Sequence, residues 1–454
     1  MLRRVFRITA LIAGAYAVSG CVAIQQGAGG RVQSGGPARE PPVVALQAFE
    51  RALAEFSAAD ARRPLASEEC TRLADAFLEA DALSGAGLPE ARYDAGLSYQ
   101  RCGLRAEARR AFESVLSIAP QHGPARVELA LDELTRTGRL DEAIATLDDV
   151  VKRARYQDAP TLVKLAALRM QRHLAQPNPD DAEAAQKDVQ RALAVDDAFM
   201  PAYNELALMH LHRARTELGK AAPPSMSLAS EVEVGRRTQS LDLAALVASQ
   251  GLAKDSSYAP LHNTAGLVAV ELGELHTAIE SFDRARTLEP ALLEASHNYA
   301  ALSLMTRSFD RAERAYRDVL ARAPGDYEAH LGLSLALRAQ AKGPADLRLL
   351  DAAERSLLEA MKLAPERPEA YFNRAILSSE LRAKVTDTEA SLRMFRRAYC
   401  ELSRFTVRAR DDGRYAAALK VAEARRRDMS DILLFLGPKR STGSEAVSAP
   451  LECG

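Results

Sequence analysis

Along residues 259–326 the small, bulky and proline positions recur in one frame. Gly266, Ala278, Phe282, Ala285 and Pro290 return as Ala300, Ala312, Tyr316, Val319 and Pro324, a period of 34 residues. Fixed-period self-similarity is the sequence signature of a repeat architecture. The frame recurs less cleanly in 89–122 (Gly96, Tyr99, Ala108, Phe112, Pro120) and in 124–157 (Leu134, Gly138, Ala143, Leu147). It returns in 160–199 (Ala185, Val189), 200–258 (Tyr203, Leu206, Ala207), 327–367 (Ala329, Ala353, Leu357, Ala360, Pro365) and 368–402 (Tyr371, Ala375, Ala390, Met394). The chain is rich in Ala, Leu, Arg and Glu and has no long β-branched runs, so these periods predict helices. The repeated proline ends a helix, because it lacks an N–H and disfavours helix in the residue before it.

The frame resembles the tetratricopeptide repeat, a helix–turn–helix unit. Small residues at repeat positions 8 and 20 let the two helices approach, and a bulky residue at 24 fills the space between units. The resemblance implies an all-α superhelical solenoid of eight or nine units over 43–410, with a concave groove lined by each unit's first helix. A degenerate helix pair at about 43–58 and 67–83 would open the array, a helix at 411–436 would cap it, and 437–454 would be a tail. The stretch 216–240 reads as a long insertion within a unit.

Read in that frame, the groove carries an apolar stripe at Leu97, Leu208, Leu211, Leu267, Val270, Leu304, Leu335 and Ile376. Beside it stand Asn204, Asn263, Asn298 and Asn373. Such a surface suits a helix or an extended peptide, with amides for its backbone and a stripe for its side chains. Repeats of this family that bind chaperones hold a C-terminal carboxylate through an Asn at position 9. That position is aliphatic here, which disfavours the same use. Covering of the stripe by the array's own tail is the alternative.

The first residues read as an address. Residues 1–7 carry three Arg and no acid, and residues 8–18 form an apolar run too short to span a bilayer. The run ends in Val18-Ser19-Gly20-Cys21, which resembles the lipobox of bacterial lipoproteins. That resemblance implies a signal peptide over 1–20, cleaved before Cys21, and acyl chains on Cys21 that anchor the protein in a membrane. Val22 rather than Asp after the cysteine resembles the signal for an outer-membrane destination, with the body facing the periplasm. Residues 21–42 then form the lipidated N-terminus and a Gly-, Ser-, Gln- and Pro-rich flexible linker.

Four further cysteines remain: Cys70, Cys102, Cys400 and Cys453. In an oxidising compartment they allow three pairings, or four free thiols. Cys70 lies near the start of a second helix and Cys102 near the end of the next first helix. Antiparallel packing brings such ends together, so Cys70–Cys102 is expected. By elimination Cys400–Cys453 would clamp the tail.

Composition narrows the chemistry. Lys+Arg is 60 against Asp+Glu 61, which gives no global pull toward nucleic acid. There is no Walker loop, nucleophile elbow, HExxH or CxxC, so no cofactor, metal or catalytic residue is expected and the protein is read as no enzyme. His210 and His212 point to different faces of a helix. His262, His297 and His330 sit at nearly equivalent repeat positions; they form a ligand-binding ladder or replace the usual packed aromatic. Residues 392–427 hold eleven basic residues against four acids, a docking surface or a solvated face.

These features resemble repeat-bearing outer-membrane lipoproteins of trans-envelope machines, with gliding-motility complexes nearest in length and composition. The expected partners are other envelope proteins, seated in the groove, and the membrane itself. An adaptor for cell-wall enzymes, or for pilus and secretion assembly, is the alternative.

Overall fold

The computed structural model describes residues 41–60, 65–220, 228–342, 346–381, 388–436 and Cys453. The expected signal, Cys21 and most of the linker lie outside these residues, as does the tail apart from Cys453. Nineteen α-helices account for almost all of the described chain, and no strand occurs among the described residues. The fold is all-α, a run of antiparallel helical hairpins of tetratricopeptide type. It divides into two compact bodies, one ending at Gly273 and the other beginning at Glu274.

The first body holds α1 (Val43–Asp60), α2 (Ser67–Ser84), α3 (Pro89–Arg101), α4 (Arg105–Ile118), α5 (Gly123–Thr137) and α6 (Leu140–Arg153). It continues with α7 (Ala159–Ala175), α8 (Pro179–Val195), α9 (Met200–Lys220), α10 (Leu228–Lys254) and α11 (Ala259–Leu272). Each helix packs on the next in sequence, so the apolar core is a chain of local clusters. Proline at the first or second position starts α3, α5, α7, α8 and α11, where a missing N–H costs nothing. Asp158 caps α7 by accepting the Thr161 N–H at 3.1 Å, and Gly138 ends α5 at φ +71°, a conformation that favours glycine.

The second body holds α12 (Leu275–Leu288), α13 (Leu293–Met305), α14 (Phe309–Arg322), α15 (Tyr327–Gln340) and α16 (Leu347–Leu363). It ends with α17 (Glu369–Ile376), α18 (Thr388–Ala409) and α19 (Ala416–Leu436). The small-to-bulky pairing is physical in both bodies. A Cβ at Gly96 on α3 would overlap the Phe112 ring on α4, and one at Gly332 on α15 would overlap the Tyr316 ring on α14. These glycines set how closely the helices approach, and both rings are buried.

Four features differ from the sequence reading. The expected insertion 216–240 is mostly helix. Helix α9 runs to Lys220 and α10 begins at Leu228, so the unit is lengthened by continuing its two helices. Alanine, leucine, glutamate and arginine on either side of Pro223-Pro224 favour helix, and Arg237 within the stretch and Arg215 just before it both reach Glu271 on α11, at 3.2 and 2.8 Å. The capping helix starts late, at Ala416, because Asp412 accepts the Arg414 N–H at 2.9 Å and holds a 3-10 turn over Gly413–Tyr415. Helix α17 is short and passes into a π-helical turn, Leu377–Leu381. The repeat read at 259–292 contributes α11 to one body and α12 to the other.

Cys70 and Cys102 are bonded, their Cα atoms 6.2 Å apart, and join the first turn of α2 to the end of α3. Cys400 and Cys453 are bonded with Cα atoms 5.4 Å apart, which fastens the chain's end to α18.

Candidate partner-binding face

In the first body the positions read as groove-lining lie on α3, α9 and α11. Leu97 on α3 is half-buried against the Phe112 cluster. Leu208 and Leu267 are half-buried against Leu211, Ala214, Leu241, Ala244 and Val268. Val270, Asn204 and Asn263 are also half-buried. In the second body Leu304 and Asn373 are half-buried. Leu211, Asn298, Leu335 and Ile376 are buried, the last three 8–9% exposed. Those four belong to packing and not to a surface that a partner could meet, because a first helix is flanked by helices and its edge positions turn into the core. What remains reachable is Leu97, Leu208, Leu267, Val270 and Leu304 with three of the amides.

The amides also tie neighbouring first helices together. Asn204 Oδ1 accepts the Thr264 hydroxyl at 2.6 Å, which joins α9 to α11 and leaves the Asn204 amide nitrogen without a hydrogen-bond partner among the described residues. Asn373 Oδ1 accepts from Arg338 at 3.4 Å, which joins α15 to α17. A second set of ties was not singled out from the sequence. Glu128 on α5 accepts from Gln100 on α3 at 2.9 Å and from Lys164 on α7 at 2.5 Å. Both Glu128 and Lys164 stand fifth in their repeats, and that shared register was the available signal.

The histidines do not converge. The His262 ring meets the Ser256 carbonyl at 2.9 Å, and His330 meets the Pro324 carbonyl at 3.0 Å, each six residues back across the inter-repeat turn. Tyr203 and Tyr371 make the same contact, their hydroxyls donating to the carbonyls of Asp197 and Pro365. Histidine thus replaces an aromatic as a clamp on the turn. His297 instead meets Asp326 at 2.9 Å. Burial pulls the Asp326 carboxyl up, but hydrogen bonds with His297 and the Ala329 N–H outweigh it and leave it below the usual range.

Burial acts without such relief elsewhere. Glu205 on α9 is buried, its Oε1 has no hydrogen-bond partner among the described residues, and its carboxyl is pushed up to about 7. Asp94 is raised to about 7 by burial, with Glu90 nearby adding to it. Burial and then the Arg215 charge push His212 down to about 4. Among the described residues no group of three or more His, Cys, Asp or Glu side chains is placed to hold a metal.

The basic stretch 392–427 is largely neutralised. Arg393, Arg397, Arg404, Arg410, Arg414 and Arg425 pair with Glu389, Glu354, Glu401, Asp411, Asp412 and Glu380 at 2.5–3.7 Å. Arg408 stacks over Tyr371 at 4.4 Å. Arg396, Lys420, Arg426 and Arg427 have no ion pair among the described residues, so four of the eleven basic groups remain to form any basic surface. No described helix is long and apolar enough to cross a membrane.

The tetratricopeptide repeat family profile matches residues 89–122. Solved structures similar to the chain include a thermophilic TPR protein of Thermus thermophilus, 24% identical, covering 48% of this chain and 99% of that one, with a TM-score of 0.38. Pseudomonas aeruginosa pilF is 16% identical over 60% of this chain and 99% of its own, with a TM-score of 0.39. YrrB, described as a TPR protein with an unusual peptide-binding site, is 16% identical over 49% and 95%, with a TM-score of 0.32. No curated protein matches the chain.

Proposed function

We propose that this repeat protein is a lipid-anchored scaffold that holds partner proteins at the outer membrane of a bacterial envelope, and that its partners belong to a trans-envelope machine of the gliding-motility kind. One observation carries the scaffold reading. In the first body, α9 and α11 offer half-buried aliphatic side chains (Leu208, Leu267, Val270) next to amides (Asn204, Asn263), the chemistry that seats a peptide or a helix. The anchor rests on the lipobox-like Val18-Ser19-Gly20-Cys21, and the outer-membrane side on Val22 after it. The choice of machine rests on the chain's overall resemblance to gliding-motility lipoproteins.

Photo-crosslinking in intact cells tests this. A crosslinker at Leu97, Leu267 or Leu304 is expected to capture one defined set of envelope proteins, and one at Arg110 on the exposed side of α4 is expected not to. Capture of cell-wall hydrolases alone would replace the motility assignment with the adaptor reading. Equal capture from both faces would remove the groove. Cys21→Ser is expected to release the protein from the membrane fraction with its helix content intact; a variant that still sediments with membranes refutes the tether.

A further inference from the structure

In the second body a small cavity of about 90 Å³ opens between α12, α13 and α14, lined by Arg286, Tyr299, Arg311, Arg314 and Ala315. Three arginines from two helices line it, Arg286 stacked on Tyr299 and Arg311 and Arg314 exposed at its rim. We propose that this cavity binds a dianionic phosphate group, as inorganic phosphate or as a small phosphate monoester.

The three arginines are not equally committed. Arg286 is oriented from two sides: its guanidinium lies over the Tyr299 ring at 4.3 Å, and Asp283 holds it at 2.6 Å. Asp318 stands 3.9 Å from Nη1 of Arg286, too far for a hydrogen bond, so that edge of the fork stays open. Arg314 gives one nitrogen to Asp310 at 3.2 Å and keeps its other donors. Arg311 has no ion pair or side-chain hydrogen bond among the described residues, and no other residue claims the Tyr299 hydroxyl there. Arg311 also lies in the first turn of α14, where the helix dipole is positive and a cation is disfavoured. Helix stability therefore does not account for its placement, and its exposed guanidinium is available to an anion.

Asp283, Asp310 and Asp318 offset much of the local charge, which selects the ligand. A single carboxylate would add nothing that these aspartates do not already supply. A phosphate brings more than one negative charge and three acceptor oxygens, enough to meet several arginine forks at once. The volume suits the phosphate group itself, and the substituent of an ester would extend out of the opening.

Calorimetric titration of the full chain in detergent tests the proposal, with inorganic phosphate and glycerol phosphate as probes and chloride at matched ionic strength as control. One saturable site is expected for phosphate and none for chloride. Arg311→Gln should weaken binding at least about tenfold, a loss typical of one charge-assisted hydrogen-bonding group, with unchanged circular dichroism. Arg311→Lys, which keeps the charge and loses the fork, should fall between. Asp310→Asn should tighten binding a few-fold by freeing Arg314, which a merely structural role for Arg311 would not produce. Tighter binding of glycerol phosphate than of inorganic phosphate makes an ester the ligand; equal binding makes it the free ion. Absence of saturable heat up to about 10 mM of either probe, or unchanged binding by the folded Arg311→Gln variant, overturns the proposal.

Discussion

Glu205→Gln isolates one buried charge in the array. Glu205 is 7% exposed on α9, and burial alone lifts its carboxyl from 4.5 to about 7. Below about pH 4.5 the group is protonated in both the folded and the unfolded chain, and it makes no difference to stability. Between there and pH 7 the unfolded chain gives up the proton while the folded chain keeps it. The unfolded state then binds fewer protons, so stability falls as pH rises, and the loss is complete above 7. At about 1.4 kcal/mol per pKa unit, the swing is on the order of 3 kcal/mol. Glutamine cannot ionise, so the variant should lack this slope and gain about 3 kcal/mol on the parent between pH 4.5 and pH 8. Urea unfolding followed by far-ultraviolet circular dichroism measures it, since the chain has no Trp to report. All other titrating groups are common to both proteins and cancel in the difference. Parallel profiles for parent and variant across that range would refute the assignment of an uncompensated buried carboxyl.

Lys164→Met should cost about 3–5 kcal/mol in the same assay, because Glu128, 5% exposed, would keep only Gln100 as a partner; adding Glu128→Leu should restore most of it. Phe112→Ala should lose about 3–5 kcal/mol by opening a void beside Gly96, and Gly96→Ala should also destabilise, since its methyl group would enter the Phe112 ring. Removing the Cys70–Cys102 bond by paired serines should cost about 3–4 kcal/mol for a loop of 32 residues, read as a lower urea midpoint in oxidising buffer and no difference in reducing buffer.

The hairpin array was legible because each unit buries its faces against its neighbours, so the same steric needs return at the same spacing. Ala108, Ala278, Ala312, Phe112, Phe282 and Tyr316 are all buried, as their positions in the frame require. The binding face was only half legible. Periodicity placed Leu208 and Leu267 beside each other, but it could not tell a presented leucine from Leu211 or Leu335, which the flanking helices cover. Nor could it tell that Asn204 is already engaged by Thr264, sixty residues away.

What the sequence determined by itself was local: helix type and the small residue that admits a ring. Those follow from steric fit and covalent geometry within one unit, which a repeated pattern exposes. Only the tertiary structure decided which charges are spent and which are left over. In the basic stretch 392–427 four arginines pair with acids within four residues, but Arg397 and Arg425 reach Glu354 and Glu380 on other elements, while Arg311 at the mouth of a small cavity has no ion pair among the described residues. An ion pair between helices depends on where two side chains end in space, and residue spacing along one helix carries no record of that.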